Sequence, residues 1–338
     1  MENTNGRDAA QTMMGMITAY WTSQIVAAAA RYSLPEHLAA GPVRADEIAR
    51  REKLDPQATF RLLRGCATLG LVSYDADSGF AATPLLGMLA KDNPANMRGL
   101  ALALTAPGHW DSWGRFADAV ATGTRQTLMA LGDEIWDYYA KVRDEAAWFS
   151  EGMTGMTAAV AQATARVIDT HGVRTVADIG GANGAMLHAL LIKDPQLQGI
   201  VLDLPHVAEM AVDHARKLGL LDRVGVIGGD FFERVPPADL YLLKHIMHDW
   251  SDAECVRILE NCRRAMHPGG RVAVIELSLG EIGEPGIAPL MDLNMLVMIT
   301  GRERTLKEYE ALFDAAGLRL STVTRTGTPM VLMEAVSR

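Results

Sequence analysis

The chain has 338 residues, 49% of them hydrophobic, and a formal net charge of -9 with both signs abundant. That length suggests two domains, and the composition is that of a globular chain with ample material for a core. The acidic balance argues against a sequence-independent grip on nucleic acid or on anionic lipid, since both require a basic surface.

The N-terminal "MENTNGRDAA" has no basic start followed by an apolar core, so no secretory signal is expected. Three cysteines, Cys66, Cys255 and Cys262, include no CxxC pair and fit reduced thiols in a cytoplasmic protein. The longest apolar runs, such as "IVAAAA", are too short to span a bilayer. Helical periodicity dominates the first half: Met13, Met16, Ile17, Tyr20 and Ile25 recur at helix-like spacings. Between about residues 43 and 89 a smaller unit follows. "RADEIARREKL" reads as a charged amphipathic helix, and "DPQATFRLLRGCATLGLV" as a helix opened by an Asp-Pro cap and closed at Gly70. "VSYDADSGFAAT" reads as a hairpin. Helix, helix, hairpin is the outline of a winged helix-turn-helix, but its near-balanced charge makes DNA binding the minority reading. Residues 91–171 predict more helices, rich in aromatic residues.

After Gly172 strands and helices alternate. "TVADIG", "GIVLDL", "RVGVIGG", "ADLYLLKH" and "RVAVIELSL" are apolar strands between amphipathic helices, with "HPGG" as a turn. This pattern predicts a parallel sheet covered on both faces, with ligands at the carboxyl ends of its strands. "LRLSTVTR" and "PMVLMEAVS" read as a closing hairpin that adds an antiparallel strand. The expected division is a helical domain over 1–171 and an α/β domain over 172–338.

The turn after the first of these strands is Gly180-Gly181-Ala182-Asn183-Gly184, preceded by Asp178. It is neither the dinucleotide pattern G-x-G-x-x-G nor a P-loop. A carboxylate at that turn repels the phosphates that such loops hold at a helix N-terminus. The turn suits a cationic ligand without phosphate, and S-adenosylmethionine is such a ligand, with Asp178 acting on its amino end and Gly180 and Gly181 allowing close backbone approach. Asp203, in "VLDLP", can accept from ribose hydroxyls or cap the next helix. Asp230, in "IGGDFF", can accept from an adenine amino group beside Phe231 or serve as a turn aspartate.

Taken together, "DIGGANG", "LDLPHV", "RVGVIGGDFFE", "LLKHIMHDWSD", "HPGGRVAVIE" and "GRERTLKEYEALFDAAG" resemble the plant-type, caffeate-like small-molecule O-methyltransferases, including their bacterial secondary-metabolism branch. The resemblance implies a class I, Rossmann-like α/β domain with a seven-stranded, mostly parallel sheet. It also implies an N-terminal, mainly helical dimerisation domain that contains the winged helix. It assigns Asp203 with Leu204 to the ribose, Asp230 and Phe231 to the adenine end, and Gly180 and Lys244 to other parts of the cofactor, S-adenosylmethionine, which leaves as S-adenosylhomocysteine. Ala182 departs from the family, which has a third glycine there.

"KHIMHDWSD" carries His245, His248 and Asp249. The spacing offers no evident third and fourth metal ligand, so no metal is expected, and a histidine capping the next helix is the plain structural alternative. The resemblance makes His248 a general base and sets Glu276, in "AVIEL", and Glu303, in "GRERT", beside it. On residue type alone Glu276 could equally be a cap or ion-pair partner, and Glu303 a partner of Arg302 or Arg304. For an aromatic acceptor the candidate wall is Trp113, Phe116, Trp136, Phe149, Met153, Met156, Asn294, Met295 and Met298, each of which alone reads as core. The expected activity is methylation of a phenolic or polyketide-type hydroxyl by a homodimer. N-methylation of a heteroaromatic compound, a non-methylating hydroxylase or decarboxylase that retains the cofactor, and a DNA-binding regulator stand as alternatives.

Overall fold

A computed structural model describes residues 3–93 and 95–338, without the side chains of residues 3–7, 159 and 206. The first two residues of the polar N-terminal stretch therefore lie outside the described residues. Two compact units form, Met1–Trp110 with Trp136–Met156, and Asp111–Ile135 with Thr157–Arg338. This division differs from a single cut after residue 171. Ala161, Ala165 and Ile168 join the apolar cluster that covers one face of the C-terminal sheet, so the end of the preceding helix belongs with the sheet it shields.

The first unit opens with α1 (Asn3–Arg31), α2 (Leu34–Leu38), α3 (Ala45–Glu52) and α4 (Pro56–Thr68), then β1 (Val72–Asp75) and β2 (Gly79–Ala82). Asp55 caps α4 by accepting the Ala58 N–H at 2.7 Å, with Pro56 at the first helical position. Asp75 Oδ1 accepts the Asp77 and Ser78 N–H groups at 3.0 and 2.9 Å and so closes the β1–β2 turn. Val43 bridges to Phe80, which completes the winged-helix outline. Ala29, Ala30, Leu34, Ile48, Leu63 and Phe80 form this unit's core. Beyond it come α5 (Arg98–Thr105), α6 (Pro107–Trp113), α7 (Phe116–Thr122), α8 (Thr127–Leu131), α9 (Ile135–Lys141) and α10 (Arg143–Val167).

The second unit is built on a seven-stranded sheet. In chain order its elements are β3 (Thr175–Ile179), α11 (Ala185–Lys193), β4 (Gln198–Asp203), α12 (Pro205–Lys217), β5 (Val224–Gly228), β6 (Ala238–Lys244), α13 (Asp252–Ala265) and β7 (Met266–Glu276). Then follow β8 (Ser278–Leu279), α14 (Ala288–Met298), β9 (Arg304–Thr305), α15 (Leu306–Ala315), β10 (Leu318–Arg325) and β11 (Val331–Ser337). The sheet order is β10-β11-β7-β6-β3-β4-β5. From β5 through β7 every pairing is parallel, and β11 joins β7 antiparallel with β10 as its hairpin partner.

Successive residues of the central strands face opposite sides, and both sides are apolar. Val176, Leu240, Leu242 and Ile275 meet α11 and α12 residues such as Leu187, Leu190 and Ala211. Ala177, Tyr241, Leu243 and Val274 meet Cys255, Ile258, Tyr309 and Phe313 of α13 and α15. That explains why the strands read as unbroken apolar runs rather than alternating ones. The "HPGG" stretch is not a separate turn. It lies within β7, where pairing with β6 shifts register between Ala238 and Leu240 and Gly269 takes φ 81°.

The chain runs β3, β4, β5 outward and then returns to the other side of β3 as β6. The order reverses between β3 and β6, so the segments leaving their carboxyl ends diverge around a crevice. The glycine turn and the histidine segment are those two segments.

Candidate active site

The glycine turn is held from beneath and from the side by carboxylates. Asp178 is buried at 2% exposure, and its Oδ2 accepts the Leu187 N–H at 3.3 Å in the first turn of α11. The N-cap of α11, Gly184, has no side chain to do this, so the aspartate serves the helix end from within the sheet. Burial pushes the Asp178 carboxyl up to about 7, against the Leu187 N–H and the charge of Lys244, which lower it. At the side, Asp203 Oδ2 accepts the Ala182 N–H at 2.8 Å and Oδ1 the Leu204 N–H at 2.7 Å. Ala182 sits at φ 49°, a left-handed conformation that residues other than glycine and asparagine rarely take. The bond to Asp203 anchors it there.

Asp203 is half-buried and is not a side-chain cap for α12, whose N-cap is Leu204 with no side-chain cap bond. Asp230 is exposed just beyond β5, and its Oδ1 accepts the Phe232 N–H at 2.8 Å. That is the turn role, and Phe231 is half-buried beside it. Lys244, at the end of β6, is half-buried, and burial lowers its pKa against the charges of Glu276, Asp178 and Asp249.

The histidine segment forms a second, denser cluster. His248 lies in a short 3-10 turn, Met247–Asp249, and is 7% exposed. Its Nδ1 is 2.8 Å from Glu303 Oε1 and 3.9 Å from Glu276 Oε2, and its Nε2 is 3.4 Å from Asp249 Oδ1. Glu276 is fully buried at the end of β7, where its Oε1 accepts the Ile246 and Met247 N–H groups, both at 2.9 Å. Burial alone would lower the His248 pKa. The carboxylates of Glu276, Asp249 and Glu303 outweigh it and hold the imidazole up to about 9. Burial also pushes Glu276 up to about 7. His245, at φ 54°, stacks on His248 with ring centroids 4.9 Å apart and an interplanar angle of 13°. Burial keeps its pKa well below the ordinary histidine value, so it forms a neutral wall.

The competing structural roles for these residues are filled by others. A capping box of Ser251 and Glu254 starts α13, and one of Thr305 and Glu308 starts α15. Arg302 pairs with Glu308 and Asp252, and Arg304 with Asp252, which leaves Glu303 to His248. The facing atoms of His248, Glu276 and Glu303 lie within 4.8 Å of one another, so the fold brings together three potential ligand groups that the spacing of the sequence did not offer as a set.

Two residues of this site were not singled out from the sequence. Arg304 is fully buried. Gly301 lies so close to the His248–Asp249 backbone that a Cβ there would collide with the His248 carbonyl. A glycine two residues before a candidate catalytic glutamate was the available signal. Of the proposed acceptor wall, Trp113 and Phe116 stack in the second unit with centroids 5.4 Å apart and an angle of 22°. The Trp113 indole N–H donates to Asn294 Oδ1 at 2.8 Å. Met295 and Met298 are buried on the same helix, α14. Trp136, Phe149, Met153 and Met156 belong to the first unit. There Trp136 meets Phe149 edge-on at 5.9 Å, and Phe149 stacks on His109 at 5.8 Å.

Comparison with known proteins identifies the family of the chain. The pattern of the O-methyltransferase domain matches residues 113–319, and that of the O-methyltransferase dimerisation domain matches residues 14–92. Phenazine O-methyltransferase PhzM of Lysobacter antibioticus is 34% identical over 324 residues, 96% of this chain and 95% of that one. The mitomycin biosynthesis 6-O-methyltransferase of Streptomyces lavendulae is 33% identical over 333 residues, 98% of this chain and 95% of its own. Among solved structures, CalO1, a methyltransferase in calicheamicin biosynthesis in its SAH-bound form, superposes with a TM-score of 0.85. It is 33% identical and covers 100% of both chains.

Two substitutions test the local geometry. Ala182→Gly removes a left-handed strain of about 1 kcal/mol and is expected to hold or raise the thermal midpoint; a clear fall contradicts the assigned backbone. Gly301→Ala forces the His248 turn aside, so its thermal midpoint should fall by several degrees, and an unchanged value would mean the two segments are not in close contact.

Proposed function

This chain belongs to the O-methyltransferase family, and from that premise we propose that it methylates a hydroxyl of an aromatic small molecule from S-adenosylmethionine, with His248 as general base. The observation that carries the reading is one buried imidazole, bonded on Nδ1 to Glu303 at 2.8 Å and surrounded by carboxylates.

The rim of the second unit suits the methyl donor. Asp178, Asp203 and Asp230 stand at or just beyond the carboxyl ends of three adjacent strands, with Lys244 on the fourth. Acids in that pattern favour a cationic, phosphate-free ligand with a ribose diol. Asp203 serves the ribose with Leu204 beside it, Asp230 and Phe231 serve the adenine end, and Gly180 and Gly181 pass the amino-acid portion. Asp178, buried under the turn, shapes that portion's seat. When bound, S-adenosylmethionine supplies an electrophilic methyl group on its sulfonium.

The chain's own residues then manage a proton. A phenol has a pKa of about 10 and is a poor nucleophile until it loses its proton. With Nδ1–H donating to Glu303, Nε2 of the neutral imidazole is the acceptor site. Glu276 and Glu303 stabilise the imidazolium that forms, which brings the proton affinity of His248 close to that of a phenol. In the second unit Trp113, Phe116, Asn294, Met295 and Met298 are proposed as acceptor-binding residues, and in the first unit Phe149, Met153 and Met156 are proposed separately. The site requires no metal in this reading, because Nδ1 is engaged by Glu303 and proton transfer needs none.

The first unit is proposed as the homodimer interface. The C-terminal end of α1 is buried through Ala29 and Ala30, while Met16, Ile17, Tyr20 and Trp21 are 52–67% exposed. An apolar band of that kind on a domain matched as a dimerisation domain suits a second copy.

Asp203→Ala should weaken donor binding by about 10-fold or more, the worth of a charged hydrogen-bond pair; calorimetric affinity equal to wild type contradicts the ribose role. His248→Ala should lower kcat on a phenolic acceptor by ~10²–10⁴-fold, with chelation by EDTA leaving the wild type unaffected. Because the folded pKa is raised, His248 carries its proton at neutral pH and becomes a base as pH climbs; kcat/KM should rise with pH and level off near 9. A flat profile, or full activity in His248→Ala, counts against the base. Ile17→Asp should shift sedimentation from dimer to monomer, and an unchanged dimer would place the interface elsewhere.

A further inference from the structure

Arg304 is the largest fully buried side chain among the described residues, and the chemistry above gives it no part. Its guanidinium has five N–H donors, and every one is used. Nη1 donates to the carbonyls of Met247 at 2.7 Å and Arg302 at 3.3 Å. Nη2 donates to the carbonyl of Trp250 at 2.8 Å and to Asp252 Oδ1 at 2.7 Å. Nε donates to the same carboxylate oxygen at 2.9 Å.

Met247 and Trp250 bracket the two residues His248 and Asp249. The guanidinium thus spans the turn that carries the imidazole and ties it to Asp252 at the start of α13. The residue before Arg304 is Glu303, whose side chain holds His248 Nδ1. Arg304 is also paired in β9 with Ser278 of β8, two residues after Glu276. One short segment therefore fixes the imidazole by its ring and by its backbone at once.

We propose that Arg304 is a positioning residue for the methyl-transfer reaction: its planar fork sets the backbone of the 247–250 turn and thereby the placement of His248 against Glu276 and Glu303. The proposal rests on the reading of His248 as the base. A lysine retains the charge but has three donors on a rotating ammonium and cannot bridge the two carbonyls and the carboxylate. Misplacement of a reacting group by about 1 Å costs on the order of 10²-fold.

The test uses Arg304→Lys, Arg304→Met and Asp252→Ala in the full-length protein. Asp252 is half-exposed, so Asp252→Ala keeps the test alive should the Arg304 variants not fold. The first readout is the His248 ring titration by NMR on histidine-labelled protein, with neither donor nor acceptor present. Removing a nearby cation by electrostatics alone would make His248 easier to protonate. Loss of placement among the three carboxylates makes it harder, so its titration should move down toward the ordinary value of about 6.5, in Arg304→Met as well. The second readout is kcat on the phenol that wild type methylates, expected to fall about 10²-fold in Arg304→Lys with little change in KM for S-adenosylmethionine. Combined with His248→Ala, Arg304→Lys should add almost nothing further.

An upward or unmoved His248 titration in folded variants, or a kcat loss that multiplies with that of His248→Ala, overturns the role of Arg304. Full activity in His248→Ala while the titration still moves down would instead remove the base and leave the positioning geometry standing.

Discussion

The second unit is organised by the problem of keeping charged side chains at the one rim of a sheet whose two faces are sealed. Both faces of β3, β6 and β7 are buried under helices, so polar chemistry can gather only where the strands end. Each carboxylate there is held by donors that the fold provides. Asp178 takes a helix N–H, Asp203 takes the N–H groups of Ala182 and Leu204, and Glu276 takes those of Ile246 and Met247. A buried carboxylate without such partners would be neutralised or would unfold its surroundings. With them, carboxyl groups stay at the strand ends even where burial draws Asp178 and Glu276 up to about 7.

That shared constraint produces different outcomes for the same residue type. Asp178 lies under the turn and is driven up toward neutrality by burial; its work is to hold the start of α11. Asp203 is only half-buried, and its two oxygens hold the glycine turn and the entry to α12. Glu276 and Glu303 act jointly on one imidazole, and each retains an oxygen, Oε2, with no hydrogen-bond partner. Those unsatisfied oxygens are costly in a folded protein, and under the proposed reading of His248 as the base they lie where its positive charge would be stabilised. His245 shares the segment and the ring type, yet carboxylates do not surround it, and burial leaves it neutral. Environment rather than residue identity separates the two histidines.

Much of this was readable from the sequence, for stated reasons. Strands buried on both faces leave unbroken apolar runs, and the acids that end them stand out against those runs. Asp178, Asp203, Asp230 and Glu276 were found that way, and the antiparallel hairpin of β10 and β11 followed from its short connection. The unit boundary was not readable, because the helices between 111 and 167 carry no local sign of which core they join. The extension of β7 through "HPGG" was hidden by proline and glycine, which signal a turn wherever they occur. Arg304 was passed over because "GRERT" reads as a solvated charged loop; only the fold shows that one arginine of the pair lies fully inside it. Gly301 was passed over because close approach by a distant backbone leaves no periodic mark.

On the proposed reading, this acidic rim takes up a cationic methyl donor and refuses phosphate-bearing ligands. Titration calorimetry on the purified protein decides the matter. S-adenosylmethionine and S-adenosylhomocysteine should each bind at one site per chain, while NAD and ATP release no heat. Binding of NAD or ATP, with no uptake of either sulfur compound, would contradict it.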